Sequence, residues 1–235
     1  MPIVTMLDRG QAPPADKGLR AIAAACVAAG TPAPGAWAFY LGGRGHNGGH
    51  GTTYTNELLD VLAARGVRLL PIYVGAQHSL SRDRGIADAK DAMRLNTEFL
   101  NRNDIIVADI EKHTSDSDPD AAVQYVNGWT VTLHDAHMRS MVYGSFNLAA
   151  DLGARANPKP DAVWVARFRA HAPKPGFDPH KIPGVPADAF SRAGQRAWQY
   201  GAAFKDKPDA LAETPCNIEG LNVDVSAIDA EIFGA

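Results

Sequence analysis

Short apolar, β-branched segments alternate with helix-like segments along this chain, and this alternation constrains the fold more than any other feature of the sequence. Repeated strand–helix alternation favours a parallel sheet with right-handed crossovers. Eight such units in 235 residues predict one closed (β/α)8 TIM-like barrel that occupies residues 1–235 as a single domain. The eight predicted strands are residues 2–8, 35–41, 67–74, 105–111, 140–143, 162–168, 197–200 and 220–226.

Apolar residues at helical spacing are clear mainly in the first part of the chain. The predicted helices are residues 16–30, about 55–65, about 82–102, about 118–137 and 147–152, with a closing turn at 229–233. Residues 169–186 are rich in proline and irregular, so the C-terminal half has short or missing helices. An open doubly wound sheet is the alternative fold. Its Gly-rich phosphate turn is not evident, because Gly42-Gly43-Arg44-Gly45 follows a strand without directly opening a helix.

Charge and hydropathy limit the partners that this chain is expected to have. The net charge is −3, so the sequence lacks the basic patch expected of a nucleic-acid-binding protein. No apolar run approaches the roughly 20 residues that a membrane span requires. The first residues show no positively charged region and no long apolar region of a secretion signal. The two cysteines, Cys26 and Cys216, are either small buried hydrophobic residues or one disulfide bridge.

Two acids end the fourth predicted strand, residues 105–111. The preceding apolar residues indicate a strand buried on both faces, as parallel strands are. Because side chains alternate along a strand, Asp109 and Glu111 are expected on one side, with Ile110 on the other. Two carboxylates at the carboxyl end of a buried strand indicate a functional site.

Acids, aromatic rings and amides also end the other predicted strands, at the rim where parallel barrels place their active sites. Asp8 and Asp224 add two carboxylates there. Aromatic rings can stack on sugar rings and amides can bond their hydroxyls, while glycoside hydrolysis needs one protonated and one ionised carboxyl group. The alternative is that these acids cap loops or pair with arginines. The predicted substrate-binding residues are Tyr40, Tyr73, Gln77, Tyr143, Trp164, Trp198 and Gln199.

An ordered set of short motifs carries a family resemblance that runs nearly end to end. The motifs are Leu7-Asp8, Asp109-Ile110-Glu111, MVYGS at 141–145, VWVA at 163–166, Trp198-Gln199-Tyr200 and VDV at 223–225. Together they resemble the glycoside hydrolase family 25 lysozymes. With YLGG at 40–43 and LPIYVG at 70–75, the chain more closely resembles a bacterial branch of glycoside-hydrolase-like barrel domains of unknown function. It differs from the lysozymes in Tyr73-Val74-Gly75, where they have a Tyr-His-Phe-like signature, and in a His/Gly-rich loop at 42–51.

The resemblance implies a role for each acid. Glu111 would be the proton donor, Asp109 would orient and stabilise the reacting sugar, and Asp8 and Asp224 would complete an acidic floor. It implies a cell-wall polysaccharide as the substrate, peptidoglycan or a related glycan, and no cofactor. The protein would then act at the cell wall, either after export or after release by a phage-type lysis system.

Two rival hypotheses remain. The first is a metal site, as in a polysaccharide deacetylase or phosphodiesterase, formed by His46 and His50 together with His78, His113 and Asp8. A glycine-rich loop does not aim two rings together as a helix does, so a mobile, substrate-covering loop is the favoured interpretation and no metal is predicted. In the second, the barrel binds glycan without cutting it, since fold resemblance alone does not establish activity.

Overall fold

A computed structural model describes residues 2–10, 12, 34–45, 52–75, 80–99, 104–110, 118–166, 195–201, 216–218 and 221–234. The strands in these ranges are β1 (Ile3–Asp8), β2 (Ala36–Gly42), β3 (Arg68–Val74), β4 (Ile105–Ile110), β5 (Arg139–Ser145), β6 (Ala162–Ala166), β7 (Gln195–Gly201), β8 (Cys216–Ile218) and β9 (Leu221–Asp229). The helices are α1 (Asn56–Ala63), α2 (Arg82–Glu98), α3 (Pro119–Asp135) and α4 (Phe146–Arg155), followed by a 3-10 helix (Ala230–Phe233). The predicted helix at 16–30 and the irregular stretch at 169–186 lie outside the described residues.

Eight of the strands close into a barrel, which confirms the predicted fold. Strands β1 to β7 pair in parallel in chain order. Strand β9 lies between β7 and β1 and is antiparallel to both, whereas the sequence predicted a parallel eighth strand. The short strand β8, which the sequence analysis missed, pairs antiparallel with β9. Strand β9 therefore starts at the end of the barrel where the parallel strands finish.

The core has two layers because the barrel strands bury side chains on both faces. The inner layer fills the barrel and contains Met6, Ala36, Ala38, Leu70, Ile72, Ile105, Val107, Met141, Tyr143, Trp164, Ala197 and Ile228. The outer layer lies between the strands and the helices and contains Leu7, Trp37, Phe39, Tyr73, Ile106, Val142 and Trp198 with Leu59, Ala89 and Trp129 of the helices. Alternate residues of each strand thus belong to different layers.

The helices begin at polar caps that the sequence supplies. The side chain of Asp118 accepts a hydrogen bond from the Ala121 backbone N–H at 2.9 Å, and Pro119 follows in the first turn. Helices α2 and α3 cross at two glycines: a Cβ atom on Gly85 would lie 2.0 Å from a backbone oxygen of α3, and one on Gly128 would lie 2.1 Å from a backbone oxygen of α2. These two helices are therefore in backbone contact. None of the helices in the described ranges has the length and apolar character needed to cross a membrane.

The 3-10 helix closes the amino-terminal end of the barrel. Asp229 caps it by accepting from the Glu231 backbone N–H at 3.0 Å, and the same carboxylate pairs with Arg196 at 2.7 Å. Ile232 packs into the inner layer. The Ala230 backbone N–H donates to the Pro2 carbonyl at 2.8 Å, which joins the two ends of the described chain. The opposite end of the barrel is the mouth.

Candidate active site at the barrel mouth

Three of the four predicted acids occupy inward-facing positions at the mouth. Asp8 and Asp109 each follow an inner-layer residue by two positions along their strands, which places them on the inner face. Asp224 lies directly opposite Asp8 in the β1–β9 register. Asp8 and Asp109 are buried and Asp224 is half-buried. Asp224 reaches the mouth near the start of an antiparallel strand, and not at the carboxyl end of a parallel one as the sequence analysis assumed.

An amide side chain bridges two of these carboxylates. Gln199 of β7 is buried, and its Nε2 lies 3.3 Å from Asp224 Oδ2 and 3.5 Å from Asp8 Oδ2. Its Oε1 accepts a short hydrogen bond from the hydroxyl of Tyr143. Four strands, β1, β5, β7 and β9, therefore meet at one side chain.

Two inner-layer aromatic rings support this bridge from below. Tyr143 and Trp164 are directly opposite in the β5–β6 register, and their rings meet edge to face at a centroid distance of 4.7 Å. The Trp164 indole N–H donates to Ser226 Oγ at 3.1 Å. Ser226 was not predicted from the sequence, although its position two residues after Asp224 places it on the same strand face.

Tyr40 is a half-exposed aromatic residue at the mouth. It continues the inward series of Ala36 and Ala38, and it packs against both core layers. The pairing of β2 with β3 is irregular between Tyr40 and Gly42, so the strand bends where it reaches the mouth. Tyr40 is therefore placed where a bound molecule could reach it.

Tyr73 and Trp198 do not line the mouth, which corrects the prediction from the sequence. Both side chains belong to the outer layer. The Tyr73 hydroxyl donates to Asp91 Oδ2 of α2 at 3.0 Å, and its ring packs 5.9 Å from the ring of Trp129. Burial, followed by the negative charge of nearby aspartates, raises the pKa of Tyr73 above its ordinary value. Their neighbours Ile72 and Ala197 face inward instead.

Several predicted residues lie outside the described part of the chain: Glu111, Gln77, His46, His50, His78, His113 and Cys26. Their proposed roles stay predictions from the sequence. Among the residues that the structure describes, no group of three or more His, Cys, Asp or Glu side chains could hold a metal ion.

Comparison with known proteins assigns a family to this barrel. The family model of the Rv2525c-like, glycoside hydrolase-like domain matches residues 15–226. Similar solved structures include the Tat-secreted protein Rv2525c of Mycobacterium tuberculosis, in complex with L-tartrate (16% identity, 98% of both chains, TM-score 0.64). They also include the spore cortex lytic enzyme SleM of Clostridium perfringens (12% identity, 97% of this chain and 67% of that chain, TM-score 0.62).

A third similar structure is the glycosyl hydrolase 25 protein GHIP of Streptococcus pneumoniae (12% identity, 97% of this chain and 87% of that chain, TM-score 0.56). At these identities the structural matches establish the fold alone. A search of curated protein sequences found no match. The family resemblance predicted from the sequence, and its relation to the family 25 fold, are confirmed.

Proposed function

Because this chain belongs to the family of Rv2525c-like, glycoside hydrolase-like domains, we propose that it hydrolyses glycosidic bonds in a bacterial cell-wall polysaccharide, peptidoglycan or a related glycan. The observation that carries this proposal is the presence of Asp8, Asp109 and Asp224, from three different strands, on inward-facing positions at one barrel mouth. The fold shared with a spore cortex lytic enzyme supports a cell-wall glycan as the substrate class.

The proposed chemistry divides the work between a proton donor and ionised carboxylates. Glycoside hydrolysis passes through a positively charged, oxocarbenium-like transition state while an acid protonates the leaving oxygen. Glu111, two residues beyond Asp109, is the proposed proton donor, an assignment that comes from the sequence. Asp109 would orient and stabilise the reacting sugar, and Asp8 with Asp224 would supply negative charge beneath it. Crowded carboxyl groups disfavour ionisation of all of them at once, which supports one remaining protonated near neutral pH.

The aromatic residues of the mouth would have different roles. Tyr40 is half-exposed, so it is the proposed surface for the C–H face of a sugar. Tyr143 and Trp164 have exposed fractions of only 4% and 1%. We therefore propose that Trp164 supports the carboxylates from beneath and does not contact the substrate. Tyr143 would lie between Trp164 and the substrate.

A turnover assay with substitutions at the mouth tests the proposal. The assay measures reducing ends released from purified peptidoglycan and related cell-wall glycans, with and without chelator. We expect Asp109→Asn and Glu111→Gln each to lower the rate about 10²- to 10⁴-fold, the range typical of losing acid–base catalysis. The matched control is Asp104→Asn, just before the other end of the same strand. Asp104 is 59% exposed and pairs with Arg139 at the surface, so its loss should leave the rate within about twofold.

Two other results would redirect the assignment. If glycan binds but no tested polysaccharide is cut, the barrel is a non-catalytic glycan-binding module. If chelator abolishes the activity, the reaction is metal-dependent, as in the deacetylase or phosphodiesterase hypothesis. Unchanged hydrolysis in both acid variants would overturn the assignment of the acids.

A further inference from the structure

Strands β1 and β9 place two carboxylates directly opposite each other, an arrangement that normally destabilises a sheet. Asp8 and Asp224 are register partners in this antiparallel pair. Opposite residues in such a pair have Cβ atoms about 4.5–5.5 Å apart, and like charges at that separation repel. Asp8 is also 1% exposed, so water screens its charge poorly. A group that donates hydrogen bonds to both carboxylates would stabilise this arrangement.

Gln199 is placed to be that group. Its Nε2 carries two N–H donors, and the two carboxylate oxygens at 3.3 and 3.5 Å are both acceptors. Its Oε1 has the hydroxyl of Tyr143 as donor. If the amide were flipped, its oxygen would face two acceptors, so the chemistry of the neighbours fixes its orientation. One neutral side chain can thus donate to both acids at the same time.

The amide is itself held in place by the inner layer. Tyr143, which fixes the amide oxygen, packs edge to face against Trp164, and Trp164 donates to Ser226 of β9. Ser226 is the register partner of Gln199 across the β7–β9 pair. The contacts thus pass from Ser226 of β9 through Trp164 of β6 and Tyr143 of β5 to Gln199 of β7. From Gln199 they return to Asp224 of β9 and also reach Asp8 of β1. A closed ring of contacts such as this limits the positions that the Gln199 amide can adopt.

We propose that Gln199 is a positioning residue, and not the sugar-binding residue that the sequence suggested: its amide N–H groups hold Asp8 and Asp224 side by side as ionised carboxylates beneath the substrate. A lysine or arginine at this place would cancel their charge, whereas a neutral amide stabilises the carboxylates and leaves that charge available to a cationic transition state. This inference rests on the proposed function for its catalytic consequence, but the positioning itself does not depend on turnover.

The positioning is tested on the protein without any substrate. Aspartate side chains are labelled with ¹³C at Cγ, the two signals are assigned with Asp8→Asn and Asp224→Asn, and each carboxyl group is titrated by NMR. Removing a donor from a carboxylate favours its protonated form, so Gln199→Leu should raise at least one of the two midpoints by about one pH unit or more. The matched control is Gln195→Leu at the other end of β7, which should leave both midpoints unchanged.

Tyr143→Phe is the second variant, in case Gln199→Leu does not fold. It keeps the ring against Trp164 and removes only the hydroxyl that orients the amide, so a smaller shift in the same direction is expected. Midpoints that stay at their wild-type values in the folded variants would overturn the inference.

Kinetics on a cleaved glycan separate positioning from sugar binding. A positioning residue affects the transition state, so Gln199→Leu should lower kcat about 10²-fold with little change in KM. A residue that only binds sugar would instead raise KM at nearly constant kcat, which would contradict the inference. If the wild type cuts no glycan, the proposed function fails while the titration still decides the role of Gln199.

Discussion

Replacing Gly85 by alanine places a methyl group between two helices that are in backbone contact. The added Cβ would lie 2.0 Å from the carbonyl oxygen of Tyr125 and 2.9 Å from the backbone nitrogen of Trp129. Carbon atoms in favourable contact are about 3.5–4.0 Å from their neighbours, so α2 and α3 must separate by more than about 1 Å. No rotamer change can relieve the clash, because both neighbouring atoms belong to the backbone.

Two opposing effects set the size of the change. Alanine is favoured over glycine in a helix interior by about 1 kcal/mol. Overpacking a well-packed core costs about 1–3 kcal/mol and sometimes more. Separation of the helices would also weaken the buried hydrogen bond from Tyr125 to Asp88, which adds about 1 kcal/mol. We therefore expect Gly85→Ala to lower the free energy of unfolding by about 1–3 kcal/mol, or Tm by about 2–12 °C for a chain of this size.

Urea unfolding followed by tryptophan fluorescence, together with a thermal scan, measures this difference. Gly128→Ala is the reciprocal variant and should be destabilised to a similar extent, because its Cβ would lie 2.1 Å from the Arg82 carbonyl oxygen. Gly10→Ala is the matched control: nothing lies within 4 Å of its added Cβ, so its stability should change by less than about 0.5 kcal/mol. If Gly85→Ala proved as stable as the wild type or more stable, helix propensity would outweigh the clash and the close helix crossing would be refuted.

Four further substitutions test other parts of the fold. Partial burial raises the pKa of Asp161, but hydrogen bonds from His134 and a neighbouring backbone N–H outweigh it and lower the pKa overall. Asp161→Asn should therefore lower the free energy of unfolding at neutral pH, by no more than about 1 kcal/mol because the side chains of Asp161 and His134 are each 37% exposed. Urea unfolding at a series of pH values should show this difference vanish as pH falls through the pKa of Asp161 in the folded protein. Asp88→Ala should cost about 2–3 kcal/mol, because it removes a buried carboxylate that accepts from Tyr125 and pairs with the 23% exposed side chain of Arg84. Tyr125→Phe should cost only about 1 kcal/mol. Equal losses in urea unfolding would contradict this. Ile232→Ala should cost about 2–4 kcal/mol if the 3-10 helix closes the barrel, and an unchanged Tm would argue against that closure.

The barrel was predictable from the sequence because its strands are apolar runs separated by helical segments at regular intervals. Burial on both faces makes each strand recognisable, but it also removes the polar–apolar alternation that would show which side chains face inward. Tyr73 and Trp198 were misplaced for this reason. Asp109 stood out in the sequence because it interrupts an otherwise apolar run, and its role at the site stays a prediction.

Other features depended on contacts between distant parts of the chain. Strand direction cannot be read from a nine-residue segment, so the antiparallel course of β9 was not predicted. Strand β8 has only three residues and gives little signal. Gln199 and Asp8 are separated by 191 positions, so the sequence could indicate an amide near the mouth but not a bridge between two acids.

The antiparallel last strand has a consequence for protein engineering. Because β9 runs from the mouth to the opposite end, Asp229 is the register partner of Ile3, and Ala230 is hydrogen-bonded to Pro2 at 2.8 Å. A short peptide linker could join these points, and new ends between residues 201 and 216 would give a circular permutant that begins with β8 and β9. Both the linker and any domain fused near residue 2 or residue 230 would lie on the far side of the barrel from the acids, so neither would obstruct access to the mouth.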